Sequence, residues 1–206
     1  MRRAAAALLL LAGACAGPEV ALDRSYDFKR VRRVGVVAFE GPSGGAAADL
    51  FTHELLASGA SVAERGRLEA VFSEKRLKAG GALSAADVRR AGKALGVDAI
   101  FLGSVTQLAP AQSFLVMEPR KGVVVTDSAR AIGGGSLTRA PALGAPGASV
   151  LTSSAQVGLT VRLVDVASGS VVWSAHQSYE GFDTDSAMSA VARSFARSLA
   201  PLWAPR

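Results

Sequence analysis

The residues able to do chemistry are few and far apart. The chain of 206 residues has one cysteine, Cys15, and two histidines, His53 and His176. A lone cysteine forms no internal disulfide and no cysteine-based metal cluster. His53 stands between Thr52 and Glu54 in a helical pattern, and His176 has no second histidine, cysteine or paired acid beside it, so neither matches the spacing of a metal site. No Ser/His/Asp or Cys/His arrangement presents itself for nucleophilic catalysis. Glu64 and Arg65 form a charged pair, but they fall between a short apolar run and a helical one. There they would end a strand and cap or pair with the helix that follows. Gly133-Gly134-Gly135 has the composition of a phosphate-cradling loop, yet no Lys-Ser or Lys-Thr follows it and no strand-to-helix context surrounds it. Catalytic, cofactor and metal residues are therefore expected to be none, with no small-molecule substrate. Hydrolysis by carboxylates alone is the one enzymatic class that the residue types leave open.

The elements that carry these residues are organised around Leu95-Gly96-Val97-Asp98-Ala99-Ile100-Phe101-Leu102-Gly103-Ser104-Val105-Thr106. A helical pattern stops at Gly96, and an apolar run begins whose residues face both ways, so it reads as a strand covered on both faces. Before it, Val34 to Phe39 reads as a buried strand closed by Glu40-Gly41-Pro42. Ala47, Leu50, Phe51, Leu55 and Leu56 recur at helical spacing until Ser58-Gly59. Ser61 to Arg65 reads as a short strand, and Leu68, Val71 and Phe72 as one stripe of a helix. Ser84 to Asp87 resembles a capping box for a helix carrying Val88, Ala91 and Leu95 on one face. After the central strand, Gln107 to Ala155 is irregular and rich in proline, glycine, alanine and serine. Within it, Phe114 to Met117 and Val123 to Thr126 flank a turn and could form a projecting hairpin; a segment this long is usually functional or disordered. Val157, Leu159, Val161 and Leu163 then give a period-two strand, and Val171 to Tyr179 returns as its hairpin partner with Trp173 on the sheet. Met188, Val191, Ala192, Phe195, Leu199 and Leu202 form the stripe of a closing helix, with Asp183 and Asp185 at its start. The fold class is thus α/β: a single mixed-sheet domain packed by helices, with a carboxy-terminal hairpin and closing helix.

The first residues are of another kind. Met1-Arg2-Arg3 is a positive stretch, and Ala4 to Leu11 is apolar but too short to span a bilayer, which together read as an export signal. It ends in Leu11-Ala12-Gly13-Ala14-Cys15, which resembles the lipobox of bacterial lipoproteins, with Ala12 and Gly13 departing from the commonest residues at their positions. The resemblance implies acylation of Cys15 and cleavage before it, and Ala16 after the cysteine implies sorting to the outer membrane with the body in the periplasm. The reading is residues 1–14 as signal peptide, 15–30 as a flexible tether from lipidated Cys15, and 31–206 as the periplasmic domain with an irregular insertion at about 107–155. An ordinary secretory cut near Ala14 is the alternative. The net charge is +6, or +4 once Arg2 and Arg3 are removed, a mildly basic surface. Lys29-Arg30-Val31-Arg32-Arg33 concentrates cations before the first strand, either as a solvated strand entrance or as a contact with anionic lipid. Export, and a surface without patterned basic and aromatic residues, argue against nucleic acid.

The order of these pieces, strongest in Leu95 to Thr106 and in Leu159 to Ser174, resembles the CsgG-like family of outer-membrane lipoproteins over roughly Val31 to Trp203. Related folds occur in the lipoprotein activator of penicillin-binding proteins and in the amino-terminal domain of the Tol-system propeller protein. The resemblance implies a lipid-anchored, non-catalytic binding or assembly module of a cell-envelope complex, with envelope proteins or its own copies as partners. Its alternatives are a subunit of an oligomeric secretion channel of the curli type or an activator of a peptidoglycan synthase. The departure is at the membrane hairpins: the candidate strands between Gln107 and Ala155 are short against the nine to eleven residues of a spanning strand, and Glu180-Gly181-Phe182 runs straight into the final helix.

Overall fold

The computed structural model describes residues 17–74, 83–117, 136–144 and 146–203. Cys15, Val123 to Thr126 and Gly133 to Gly135 lie outside the described residues, as do the side chains of Leu68 and Phe72. In chain order the elements are β1 (Glu19–Leu22), β2 (Arg33–Val36), α1 (Gly44–Ala57), β3 (Ser61–Val62), α2 (Arg65–Glu74), α3 (Ala85–Leu95) and β4 (Ala99–Ala109). They continue with β5 (Ser113–Met117), β6 (Leu137–Pro141), β7 (Ala148–Ser153), β8 (Ala155–Asp165), β9 (Val171–Gly181) and α4 (Thr184–Leu199).

Six strands form one mixed sheet in the order β1-β9-β8-β4-β2-β3. β4 pairs parallel with β2 and antiparallel with β8, which pairs antiparallel with β9. The central position expected for β4 follows from its composition: Ala99, Phe101 and Val105 enter one core while Ile100 and Leu102 enter a second on the opposite face. Helices α1 and α4 close the first face with Phe51, Leu55, Val191, Phe195 and Leu199. α3 closes the second with Val88, Ala91 and Leu95, and Val71 of α2 packs against it. Trp173 is fully buried in the first core, its ring edge-on to Phe101 at 6.1 Å and to Phe195 at 6.2 Å. Such aromatic pairs add about 0.5–1.5 kcal/mol each beyond the area they bury.

The helix ends are set locally. Ser84 and Asp87 form the expected capping box of α3, and its C-cap Gly96 adopts φ +63°, a left-handed conformation that glycine takes without steric cost. Asp183 caps α4 by accepting from the Ser186 N–H at 2.7 Å. Gly103 in β4 leaves room for the Phe39 ring, since a Cβ there would lie 2.8 Å from it.

Two expectations are corrected. The tether over 15–30 is not loose to its end: Glu19–Leu22 is strand β1 on the edge of the sheet, paired with Trp173 to His176, and Phe28 is buried. Pairing with β9 supplies the backbone partners that β1's exposed side chains give no hint of. The insertion at 107–155 is also more regular than its composition suggests. Gln107 to Ala109 complete β4, Ala155 opens β8, and β5, β7 and β6 make a separate three-stranded antiparallel sheet. Phe114 to Met117 is a strand as expected, and the partner observed for it is β7, more than thirty residues away.

Candidate functional site

The three-stranded sheet grows directly out of the core. β4 and β8 are antiparallel neighbours, and after Pro110 to Gln112 and Ser153 to Ser154 the same two chain segments pair again as β5 and β7. The join is sealed by hydrogen bonds: the Ser153 N–H donates to the Gln112 carbonyl at 2.8 Å, and the Gln112 N–H donates to the Ser153 hydroxyl at 3.0 Å. Glu180, at the end of β9, accepts from the Ser136 N–H at 2.6 Å and from the Ser154 hydroxyl. A β4–β8 ribbon therefore projects beyond the six-stranded sheet and takes on β6 as a third strand.

The projection exposes what the body hides. Leu115 is 65 % exposed, Met117 64 % and Leu143, in the β6–β7 turn, 99 %; Phe114 is also exposed. Phe182, between β9 and α4 at the same end of the molecule, is 87 % exposed. Several large apolar side chains are thus exposed on one projecting element, where contiguous apolar exposure would mark an interaction surface. The strands are five or six residues long, short of the nine to eleven that cross a bilayer. No described helix is long and apolar enough to cross a membrane.

The direction of β1 relates this end to the amino terminus. Leu22 lies opposite Trp173 and Glu19 opposite His176, so the chain upstream of Glu19 enters the sheet from the side of Gly181. Cys15 is four residues before Glu19, within about 14 Å even when fully extended. Lys29 to Arg33 falls at the other end of the sheet, where β2 begins beside Asp98 and Ala99. Ten strand steps of about 3.3 Å separate that end from Gly181. Of the two readings of those cations, the strand entrance agrees with this placement.

The remaining candidates resolve into structural roles. Glu64 caps α2: its carboxylate accepts from the Gly66 and Arg67 N–H groups at 2.7 Å each, and these bonds hold its pKa below the usual range. Arg65 donates to the Asp49 carboxylate at 2.7 Å and to the Gly45 carbonyl at 2.9 Å, tying α2 to α1. His53 is exposed on α1, and His176 is exposed on β9 with its Nδ1 2.9 Å from the Thr160 hydroxyl. Among the described residues no three histidine, cysteine or acidic side chains converge as a metal site would require.

Among the described residues the most buried acid is Asp165, which closes the β8–β9 turn, and nothing in its sequence context sets it apart from an ordinary turn residue. Burial pushes its pKa up. Hydrogen bonds from the Ser168 hydroxyl and N–H, at 2.7 Å each, and from the Tyr26 hydroxyl at 2.8 Å outweigh that effect and hold it below the usual carboxylate range. Burial first, and then the same hydrogen bond to Asp165, raises the pKa of the Tyr26 phenol. The bond latches the segment after β1 onto the hairpin. β1 itself has only a faint signal, Val20-Ala21-Leu22 between Gly17-Pro18 and Asp23-Arg24.

Comparison with known proteins gives a family model, Curli production assembly/transport component CsgG, matching residues 30–195. Among solved structures, the chain is similar to the PelC dodecamer from Paraburkholderia phytofirmans, with 22% identity over 92% of this chain and 99% of that one and a TM-score of 0.46. It is also similar to lipoprotein GNA1162 from Neisseria meningitidis, with 14% identity over 82% and 98% of the two chains and a TM-score of 0.46. No curated protein matches the sequence.

Proposed function

Because this chain belongs to the CsgG family of curli production assembly/transport components, we propose that it is a lipid-anchored, non-catalytic assembly module of the cell envelope. Cys15 is the acylated residue, the outer membrane holds it, and the domain lies on the periplasmic face. The projecting β5–β7–β6 sheet is its contact surface, turned toward the membrane and toward the envelope proteins or further copies assembled there. The observation that carries this reading is the antiparallel seating of β1 on β9, which brings the chain in from the end where the projecting sheet and Phe182 are exposed. Anchor and apolar surface are then on one side of the molecule. Acyl chains contribute about 0.8 kcal/mol per buried methylene, so the exposed leucines and methionine need only orient a domain that the anchor already retains.

Two measurements test this. Mass spectrometry of the amino-terminal peptide from membrane-extracted protein should show a thioether-linked diacylglycerol on Cys15; an unmodified terminus near Ala14 would refute the anchor. Replacing Leu115, Met117 and Leu143 together by serine should abolish crosslinks to envelope partners in cells while the thermal melt stays within a few degrees of the parent. Unchanged crosslinks would refute the contact surface.

The continuity of β4–β5 with β7–β8 favours a second reading, because it puts a ribbon where the curli-type channel resembled in the sequence places its first membrane hairpin. Light scattering of full-length protein in mild detergent, with Cys15→Ala as control, separates the two. A uniform ring of many subunits supports the channel, and a monomer or dimer supports the adaptor.

A further inference from the structure

The end of the six-stranded sheet opposite the projection gathers cations whose neighbouring acids are held mainly by backbone and hydroxyl donors. Arg24, Lys29, Arg30 and Arg32 are exposed there and Arg33 is half-buried. The acids among them are bound to backbone and hydroxyl donors. Asp23 accepts from the Ser25 N–H at 2.9 Å and its hydroxyl at 2.6 Å. Asp27 accepts from the Lys29 N–H at 3.1 Å. Asp98 accepts from the N–H groups of Arg32 and Arg33 at 2.8 and 3.0 Å, and Asp165 is held by Ser168 and Tyr26. The ion pairs found among the described residues join Arg65 to Asp49, Arg90 to Asp87 and Arg193 to Glu54; none involves the cations of this end. Arg30 lies within electrostatic reach of Asp165 and Tyr26. Arg24, Lys29 and Arg32 are exposed and take part in none of these ion pairs, while the carboxylates spaced between them stay fixed by backbone and hydroxyl donors.

That pattern selects a class of ligand. Fixed carboxylates every few residues repel a dense polyanion such as a phosphate-rich surface. Separated cations can each take one carboxylate from a polymer that carries them at intervals. Position adds to this. On the proposed orientation the cations stand at the far end of the sheet from the membrane side, about 30 Å away along β9. We propose that this end binds the peptide-bearing glycan of the cell wall, peptidoglycan, through the carboxylates of its stem peptides. The choice of polymer rests on the envelope reading above; the binding surface itself does not depend on the anchor.

The test is co-sedimentation of the full chain, purified in mild detergent, with purified sacculi. The parent protein should pellet with sacculi at low salt and be released as ionic strength rises, since exposed charge contacts are screened. Arg24→Ala, Lys29→Ala, Arg30→Ala and Arg32→Ala combined should weaken binding at least tenfold. These changes keep every backbone N–H donated to Asp27 and Asp98, and an unchanged thermal melt confirms that the variant is folded. Arg67→Ala, at the opposite end of the sheet, should bind like the parent, and sacculi whose carboxylates have been amidated should bind weakly. Folded parent protein that stays in the supernatant, or a combined variant that pellets equally well, overturns the proposal. So does equal binding to amidated sacculi. Failure of the anchor would appear separately, in the mass of the amino-terminal peptide.

Discussion

The body and the projection are built from the same two chain segments and treat apolar residues in opposite ways. In the body, β4 and β8 lie between helices, and Phe101, Leu159, Val161 and Leu163 are lost from solvent. Past Ser153 the ribbon has left the helices behind, and Phe114, Leu115 and Met117 stand in water. Strand pairing and side-chain hydrogen bonds such as Arg139 to Ser149 hold the second sheet together, with burial limited to Ala148, Ser149 and Ser153; apolar side-chain burial holds the first. The difference teaches that the apolar residues of β5 contribute little to the buried core, and contact with a partner is the use proposed for them above.

Substitutions can break this contrast, beginning with the body. Phe195→Asp would place an unpaired charge where α4 meets Trp173 and Phe51, and the expected cost is about 4 kcal/mol or more. Resistance of the variant to urea or protease at the parent level would show that the stripe is not core. Gly92→Val comes next. A Cβ at Gly92 would lie 2.2 Å from a Val166 methyl group, so α3 has to shift off the sheet. A loss of about 2–3 kcal/mol is expected by chemical denaturation, and no loss would mean that α3 adjusts freely.

The latch between Tyr26 and Asp165 should matter less. Tyr26→Phe removes one partly buried hydrogen bond and is expected to cost about 1 kcal/mol. The pH dependence has a definite sign. Asp165 is held below its ordinary pKa in the folded chain, so its contribution is fully present above the unfolded value near 4 and is lost as pH falls through the lower folded value. Unfolding curves of the parent at pH 6 and pH 3 should therefore differ more than those of Asp165→Asn. Equal differences would remove Asp165 from the account. The smallest expected effect is in the projection: Leu115→Ser with Met117→Ser should change stability by less than about 0.5 kcal/mol. A larger loss would show that the projecting sheet has a core of its own.

Periodicity makes most of the body legible in the amino-acid sequence. The helical stripe from Met188 to Leu199 and the alternation from Val157 to Leu163 are direct consequences of one buried face each, and β4's two-sided apolar run marks a strand between layers. What periodicity misses is held by pairing and not by burial. β1 is exposed along its whole length, so no buried face adds to the faint signal of Val20-Ala21-Leu22. β6, Leu137-Thr138-Arg139-Ala140-Pro141, is short, shows no apolar alternation and ends in proline, and its ladder with β7 makes it a strand. Phe114 to Met117 is legible as a strand, but its observed partner lies beyond the reach of local turn signals. The proposed contact surface is thus visible as a suspicious segment and not as a site, because its two defining features, non-local register and proximity to the amino terminus, are properties of the assembled sheet. Cys15 remains a reading of residue order alone.

The orientation of the domain is tested most directly by a fluorescent probe on single introduced thiols in the lipidated protein, where an acylated Cys15 leaves no competing free cysteine. Leu143→Cys and Arg32→Cys, each labelled and reconstituted on vesicles containing brominated phospholipid, report the two ends. Strong quenching and a blue-shifted emission at 143 with neither at 32 is the expected result. Quenching at 32 with a solvent-exposed spectrum at 143 would contradict the account, since the cationic end would then be the one that lies against the membrane.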